Sequence, residues 1–258
     1  MKSNYDRVTD INKRKVNLLY VSTILTLILT INEKYQFTKK HLDFDVYIQL
    51  IVAINLVLIV SYLIFDFRAT YIFSKAERTR TLQYLDNSFD TNFAGRKVAN
   101  YFSQEMLNPG FYKLSVNCFE NVFHTFTITR EMQSKAYIKA VIVIIIFVFS
   151  AAVGDKGIIR SLIEAILPLV LLQDAIKLSF FILRLENLLD NFKLFFTSIK
   201  SNGFSDKEPE AMRYVIEYET TLAWASIPLD SKVFFRLKDE LASDWELLKD
   251  EFNITNGE

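Results

Sequence analysis

Glu164, Pro168, Asp174 and Lys177 stand in a stretch that is otherwise largely aliphatic, IIRSLIEAILPLVLLQDAIKLSFFIL from Ile158 to Leu183. Ionisable groups inside an apolar helix are costly in lipid and mark ion paths, proton relays or gates. Counted down a helix from Ile158, Glu164 lies roughly 9 Å along and Asp174 about 24 Å along. Pro168 lacks the N–H that the Glu164 carbonyl would otherwise accept. A carboxylate and a freed carbonyl then share one turn, which suits a hydrated lumen because lipid satisfies neither. Glu164 with Pro168 is thus the candidate for lining or constriction. Asp174 and Lys177, nearer the far end, are placed to couple a gate to the helices outside the membrane. The plainer reading is local pairing, Arg160 with Glu164 at i,i+4 and Asp174 with Lys177 at i,i+3.

A second set of polar groups lies on the first apolar run. Tyr20, Thr23, Thr26 and Thr30 fall within about a third of a helix circumference. Such hydroxyls line a water path or bond back to their own helix and pack against neighbours. Asn55, in the second run, fits an interhelical hydrogen bond better than an ion ligand. A third set is basic and aromatic. Arg78, Arg80, Arg96, Lys97, Arg130 and Lys135 are interleaved with Tyr84, Phe93, Tyr101 and Phe102. Cations neutralise phosphates and aromatic rings stack on bases. Arg78, Arg80, Arg96, Lys97, Tyr101, Arg130 and Lys135 are therefore the candidates for a nucleotide or short-oligonucleotide ligand. The alternative is a solvated helical surface whose cations meet lipid headgroups.

Other chemistries lack their residues. There is no glycine-rich phosphate loop, nucleophile elbow or paired-histidine metal motif. The one cysteine, Cys118, allows no intrachain disulfide, and His41 and His124 are far apart. The chain is expected not to be an enzyme and to need no cofactor or metal. Its 258 residues carry no net charge, so only local clustering could favour a charged partner.

The elements that position these groups are set by apolar run length. Glycine and proline number 6 and 4, so long helices are expected throughout. Val16–Ile31 is uncharged and spans roughly 24 Å as a helix, with Arg14 and Lys15 able to snorkel. Val46–Phe65 is a full span. Tyr137–Leu183 reads as a helical hairpin about the Gly154–Gly157 turn. The expected fold is an all-α integral membrane protein with four transmembrane helices. Its segments are a basic start and helices one and two (1–66), a helical insert (67–136), the hairpin (137–183) and a helical tail (184–258). In the insert, helices are expected over about 67–89, 92–107 and 111–135, the first continuing helix two and the last running into helix three. In the tail, Ser201-Asn202-Gly203 is a break, 207–223 a helix, and Asp230 or Ser231 the cap of a last helix. That helix carries Phe234, Leu237, Leu241, Trp245, Leu248 and Phe252 on one face, which needs a partner. Lys and Arg are denser on the side of the N-terminus, insert and tail, which puts both termini in the cytoplasm.

Two segments carry a family likeness: ILPLVLLQDAIKL (Ile166–Leu178) and ASIPLDSKVFFRLKDEL (Ala225–Leu241). With the two-span, insert, hairpin and tail layout, the chain resembles the SMODS-associated four-transmembrane effector family of bacterial antiphage defence. That family's tail motif is Ser-Pro followed by Pro-Asp-Trp. Here Ile227-Pro228-Leu229-Asp230 stands in its place and the Trp is missing. The resemblance implies an inner-membrane effector that acts beside a nucleotidyltransferase and permeabilises the membrane of an infected cell, an abortive infection. The nucleotide would open the pore or hold it shut.

Three functions remain in play. The first is a ligand-gated ion channel or pore, which needs several copies about an axis, a cyclic homo-oligomer with a tetramer expected. The second is a small transporter, disfavoured because Pro168 has no counterpart in helix two. The third is a membrane-anchored interaction scaffold working through the tail's apolar face.

Overall fold

The structure is a computed structural model that describes residues 4–35, 44–95, 104, 106–153 and 158–254, without the side chains of 33, 34, 44, 45, 153 and 158–167. Among the described residues it holds six helices and no strand: α1 (Asn4–Tyr35), α2 (Phe44–Phe89), α3 (Phe111–Val153), α4 (Ile158–Asn202), α5 (Glu208–Ala225) and α6 (Ser231–Phe252). The expected all-helical class is what is found. α2 runs on from the second apolar run, and α3 is one helix across the end of the insert and the third run.

The helix ends have local causes. α4 stops where Gly203 takes a positive φ of 77°, its N–H donating to the Ile199 carbonyl at 2.7 Å. α5 closes on Ser226 in the left-handed conformation, its N–H on the Leu222 carbonyl. α6 opens on Asp230, whose carboxylate accepts from the Lys232 N–H at 2.8 Å.

The helix expected over about 92–107 is corrected in its described part. Residues 92–95, 104, 106 and 107 are non-helical. Asp90 turns left-handed at φ 53°. The Asp86 carboxylate then accepts from Thr91 Oγ1 and from the N–H groups of Phe93 and Ala94, at 2.6 to 2.8 Å. A carboxylate holding two successive N–H groups takes the donors that α2 would need to run on.

The chain divides into two compact units. One comprises Met1–Ile72 with Ser134–Ile176; the other comprises Phe73–Gln133 with Lys177–Glu258. In the first, Leu19 of α1, Ile59 and Tyr62 of α2, Ala140 and Val143 of α3, and Leu171 and Ala175 of α4 form one core. The outward faces are apolar as well: Ile24, Ile28, Val57, Val60, Ile64, Ile142 and Ile145 are all exposed. Helices apolar on every side belong in lipid rather than water. Among the described residues three helices, within Asn4–Asn32, Val46–Phe89 and Phe111–Ala152, are long and apolar enough to cross a membrane.

The second unit has an aromatic core. Phe119 of α3 stacks on Phe192 and Phe196 of α4 and meets Trp245 and Phe252 of α6 edge-on. Val233, Leu237 and Leu241 pack with Ile128 of α3. The apolar face of α6 thus finds its partner in helices of its own chain.

Candidate functional site

The apolar unit contains a polar seam between its helices. Ser22 of α1 donates its hydroxyl to Asn55 Oδ1 of α2 at 2.6 Å, and Asn55 Nδ2 donates to Thr26 Oγ1 at 3.1 Å. Thr30 bonds back to the Thr26 carbonyl at 2.8 Å and pairs with the Ser150 hydroxyl of α3. Thr23 donates to the Leu19 carbonyl. Ser22, Thr26, Thr30, Asn55 and Ser150 are all buried within the one chain. Thr26 and Thr30, candidate lumen residues by spacing, therefore serve as contacts between helices, and Asn55 makes the interhelical bond expected of it. Lipid offers no partner to these groups, so they pair with each other.

Beside the seam, Ser22, Thr23, Thr26, Phe147 and Pro168 border a cavity of about 20 Å³. That is room for roughly one water. Pro168 is buried, and its helix continues through it. With Leu19, Tyr62 and Leu171 filling the core, this interior is packed rather than open. The backbone of Glu164 lies within α4; its side chain falls outside those described.

At the other end of the seam lies a charged belt. Lys15 of α1 pairs with Asp66 of α2, and its ammonium sits 5.2 Å from the Tyr62 ring centroid. Lys139 of α3 lies close enough to Lys15 and to Asp174 of α4 to feel both, and Asp174 acts on Tyr62 as well. Two cations and two carboxylates from four helices thus share one end of the bundle. Asp174 and its neighbour Gln173 are exposed on the outer surface of α4. Of the belt, only Asp174 stands out by residue type within an apolar run, yet the sequence holds a signal for the rest. Lys15 and Lys139 border the start of the first and third runs, Asp66 the end of the second, and Asp174 stands in the last part of the fourth. Antiparallel helices bring those ends together.

The candidates for a nucleotide site have mixed placements. Arg96, Lys97 and Tyr101 lie outside the described residues. Lys135 is exposed and belongs to the apolar unit. In the other unit Arg78 is exposed, and Arg130 is exposed over the Phe126 ring. Arg80 is buried. Its Nε donates to Glu77 at 2.8 Å and its Nη2 to both oxygens of Glu219 at 2.7 and 2.9 Å. Thr81 donates to the same Glu219, and the guanidinium lies 5.7 Å from the Tyr218 ring centroid. Burial pushes the Tyr218 phenol well above its ordinary range, so it stays a neutral partner. An arginine held by two carboxylates and closed from water has no fork left for a phosphate.

No protein-family model matches this chain, and no curated protein or solved structure matches it either.

Proposed function

We propose that this chain is one subunit of an oligomeric membrane channel or pore, a cyclic homo-oligomer with a tetramer expected. α4 supplies the fourth span, and the conduction path runs between copies rather than through one. The observation that carries this reading is the exposure of Gln173 and Asp174 on α4. A carboxylate and an amide side by side on the outer face of an apolar helix favour water or protein over lipid as their surroundings. The packed core and the self-satisfied seam leave no path inside one chain. The family resemblance extends the reading to a bacterial inner-membrane effector of antiphage defence, with both termini in the cytoplasm. A nucleotide or oligonucleotide made by a partner nucleotidyltransferase controls it.

Reconstitution into liposomes tests this directly. The purified chain is expected to pass cations under one ligand condition, with or without short oligonucleotides, and Asp174→Lys to reverse or abolish the cation preference. Gln173→Cys is expected to cross-link copies, because the sole native cysteine, Cys118, is buried. An absence of flux in every condition, or wild-type selectivity in Asp174→Lys, refutes the proposal.

A further inference from the structure

Beyond the channel reading, and resting on its placement of the chain in a membrane, one cluster points to a lipid. Lys177 is the first residue of the second unit after the apolar stretch of α4. It lies 5.9 Å from the Trp224 ring centroid, and Arg184, two turns on, lies 4.3 Å from the same ring. Trp224 is at the C-terminal end of α5 and is 41 % exposed. Among the described residues, no carboxylate lies within ion-pairing distance of either cation. The local pairing of Lys177 with Asp174 read from spacing is thus replaced by a ring contact.

The same face of α4 is apolar and uncovered. Phe180 and Leu183 are 55 % and 51 % exposed, and helical periodicity sets them beside Lys177 and Arg184. Lys177 and Arg184 are separated by about 10 Å along the helix, more than the roughly 5–7 Å of headgroup layer on each side of a bilayer. Side chains of this length converging on one ring shorten that span. An exposed indole is at home at this depth, with an apolar body and a polar N–H. A guanidinium over a ring face makes no hydrogen bond to it, which leaves its N–H donors for phosphate oxygens.

We infer that Lys177, Arg184 and Trp224 form a binding site for the headgroup phosphate of an anionic phospholipid, whose glycerol end rests on Phe180 and Leu183 and whose acyl chain runs back along α4 toward its apolar stretch. Two cations without a carboxylate partner, beside an aromatic–aliphatic strip, complement the net negative charge of such a lipid better than a zwitterionic one, whose own ammonium offsets its phosphate. Each cation near an anionic surface contributes roughly a fivefold preference, so the pair favours the anionic lipid about 25-fold.

The two tryptophans make the test direct, since Trp245 is buried in the aromatic core. The full-length protein is reconstituted in vesicles of fixed phosphatidylglycerol and phosphatidylcholine content. A minor fraction of one lipid or the other carries bromine near the headgroup end of its chain. Brominated phosphatidylglycerol is expected to quench wild-type fluorescence well beyond the same fraction of brominated phosphatidylcholine. Trp224→Phe is expected to abolish the quenching, and Lys177→Gln with Arg184→Gln to remove the preference. Arg184→Gln alone, at an exposed position, serves if the double variant does not fold. Equal quenching by both lipids overturns the phosphate site. Absent quenching in protein that floats with the vesicles overturns it too, while leaving the membrane reading intact. Protein that fails to float refutes both.

Discussion

Arg78 and Arg80 lie two residues apart on α2, and the structure requires opposite consequences from their loss. Arg80→Ala removes three charge-assisted bonds and leaves Glu77 and Glu219 facing one another, their side chains 19 % and 23 % exposed. Breaking a buried pair costs about 3–5 kcal/mol. Partial exposure of the carboxylates lowers that figure, and so does the buried Nη1, which has no partner and whose removal relieves about 1 kcal/mol. The remaining loss is about 2–3 kcal/mol, or roughly 4–12 °C in melting temperature. Arg78→Ala, at an exposed position, is expected to stay within about 0.5 kcal/mol of wild type. Thermal melts of the detergent-solubilised full chain give the comparison. Arg80→Met combined with Glu219→Leu is expected to recover part of the loss, since an apolar pair replaces an ionic one at little cost. If Arg80→Ala melts with Arg78→Ala, the guanidinium is not holding α2 to α5, and its role as a free phosphate ligand reopens.

Asn55→Leu removes both bonds of the seam's central amide and is expected to cost about 1–2 kcal/mol, at the scale of polar contacts between membrane helices; unchanged stability in a denaturing-detergent titration would argue against the seam as a helix contact. His124 belongs to the aromatic unit, outside the apolar stretch of α3, and bonds the Leu241 backbone. Burial, the larger effect, pushes its imidazole down to about 4. The unfolded chain binds this proton near pH 6.5 and the folded chain does not, so stability falls as pH drops from about 6.5 to 4, by about 3 kcal/mol in all. Melts across that window are expected to show this slope in wild type and a flatter one in His124→Gln; parallel slopes refute the assignment.

Much of the architecture is legible because run length and breakers act locally. The stop at Gly203, the cap at Asp230 and the join of α2 to its apolar run each depend on a few adjacent residues. The stretch after Phe89 misleads because its fate depends on Asp86, whose carboxylate reaches seven and eight residues ahead. Periodicity carries no trace of that. Spacing places Thr23, Thr26 and Thr30 on one face of α1, but not what that face meets; Asn55 and Ser150 make it an inner face. Arg80 and Arg78 look alike in sequence, and only the arrival of Glu219 from α5 separates them. The belt of Lys15, Asp66, Lys139 and Asp174 is open to view in the alternation of run ends, where charge otherwise serves only to orient the chain.

The seam has a consequence for how such a protein is made. A newly inserted membrane helix with a bare amide or hydroxyl is held by translocation chaperones or taken by membrane proteases until the group finds a partner. Asn55 finds Ser22 and Thr26 in the helix inserted just before its own. The first hairpin thus hides its own amide while the rest of the chain is still being synthesised. Thr30 has its own turn to bond until Ser150 arrives. A lone chain then offers surveillance little to seize upon in this region.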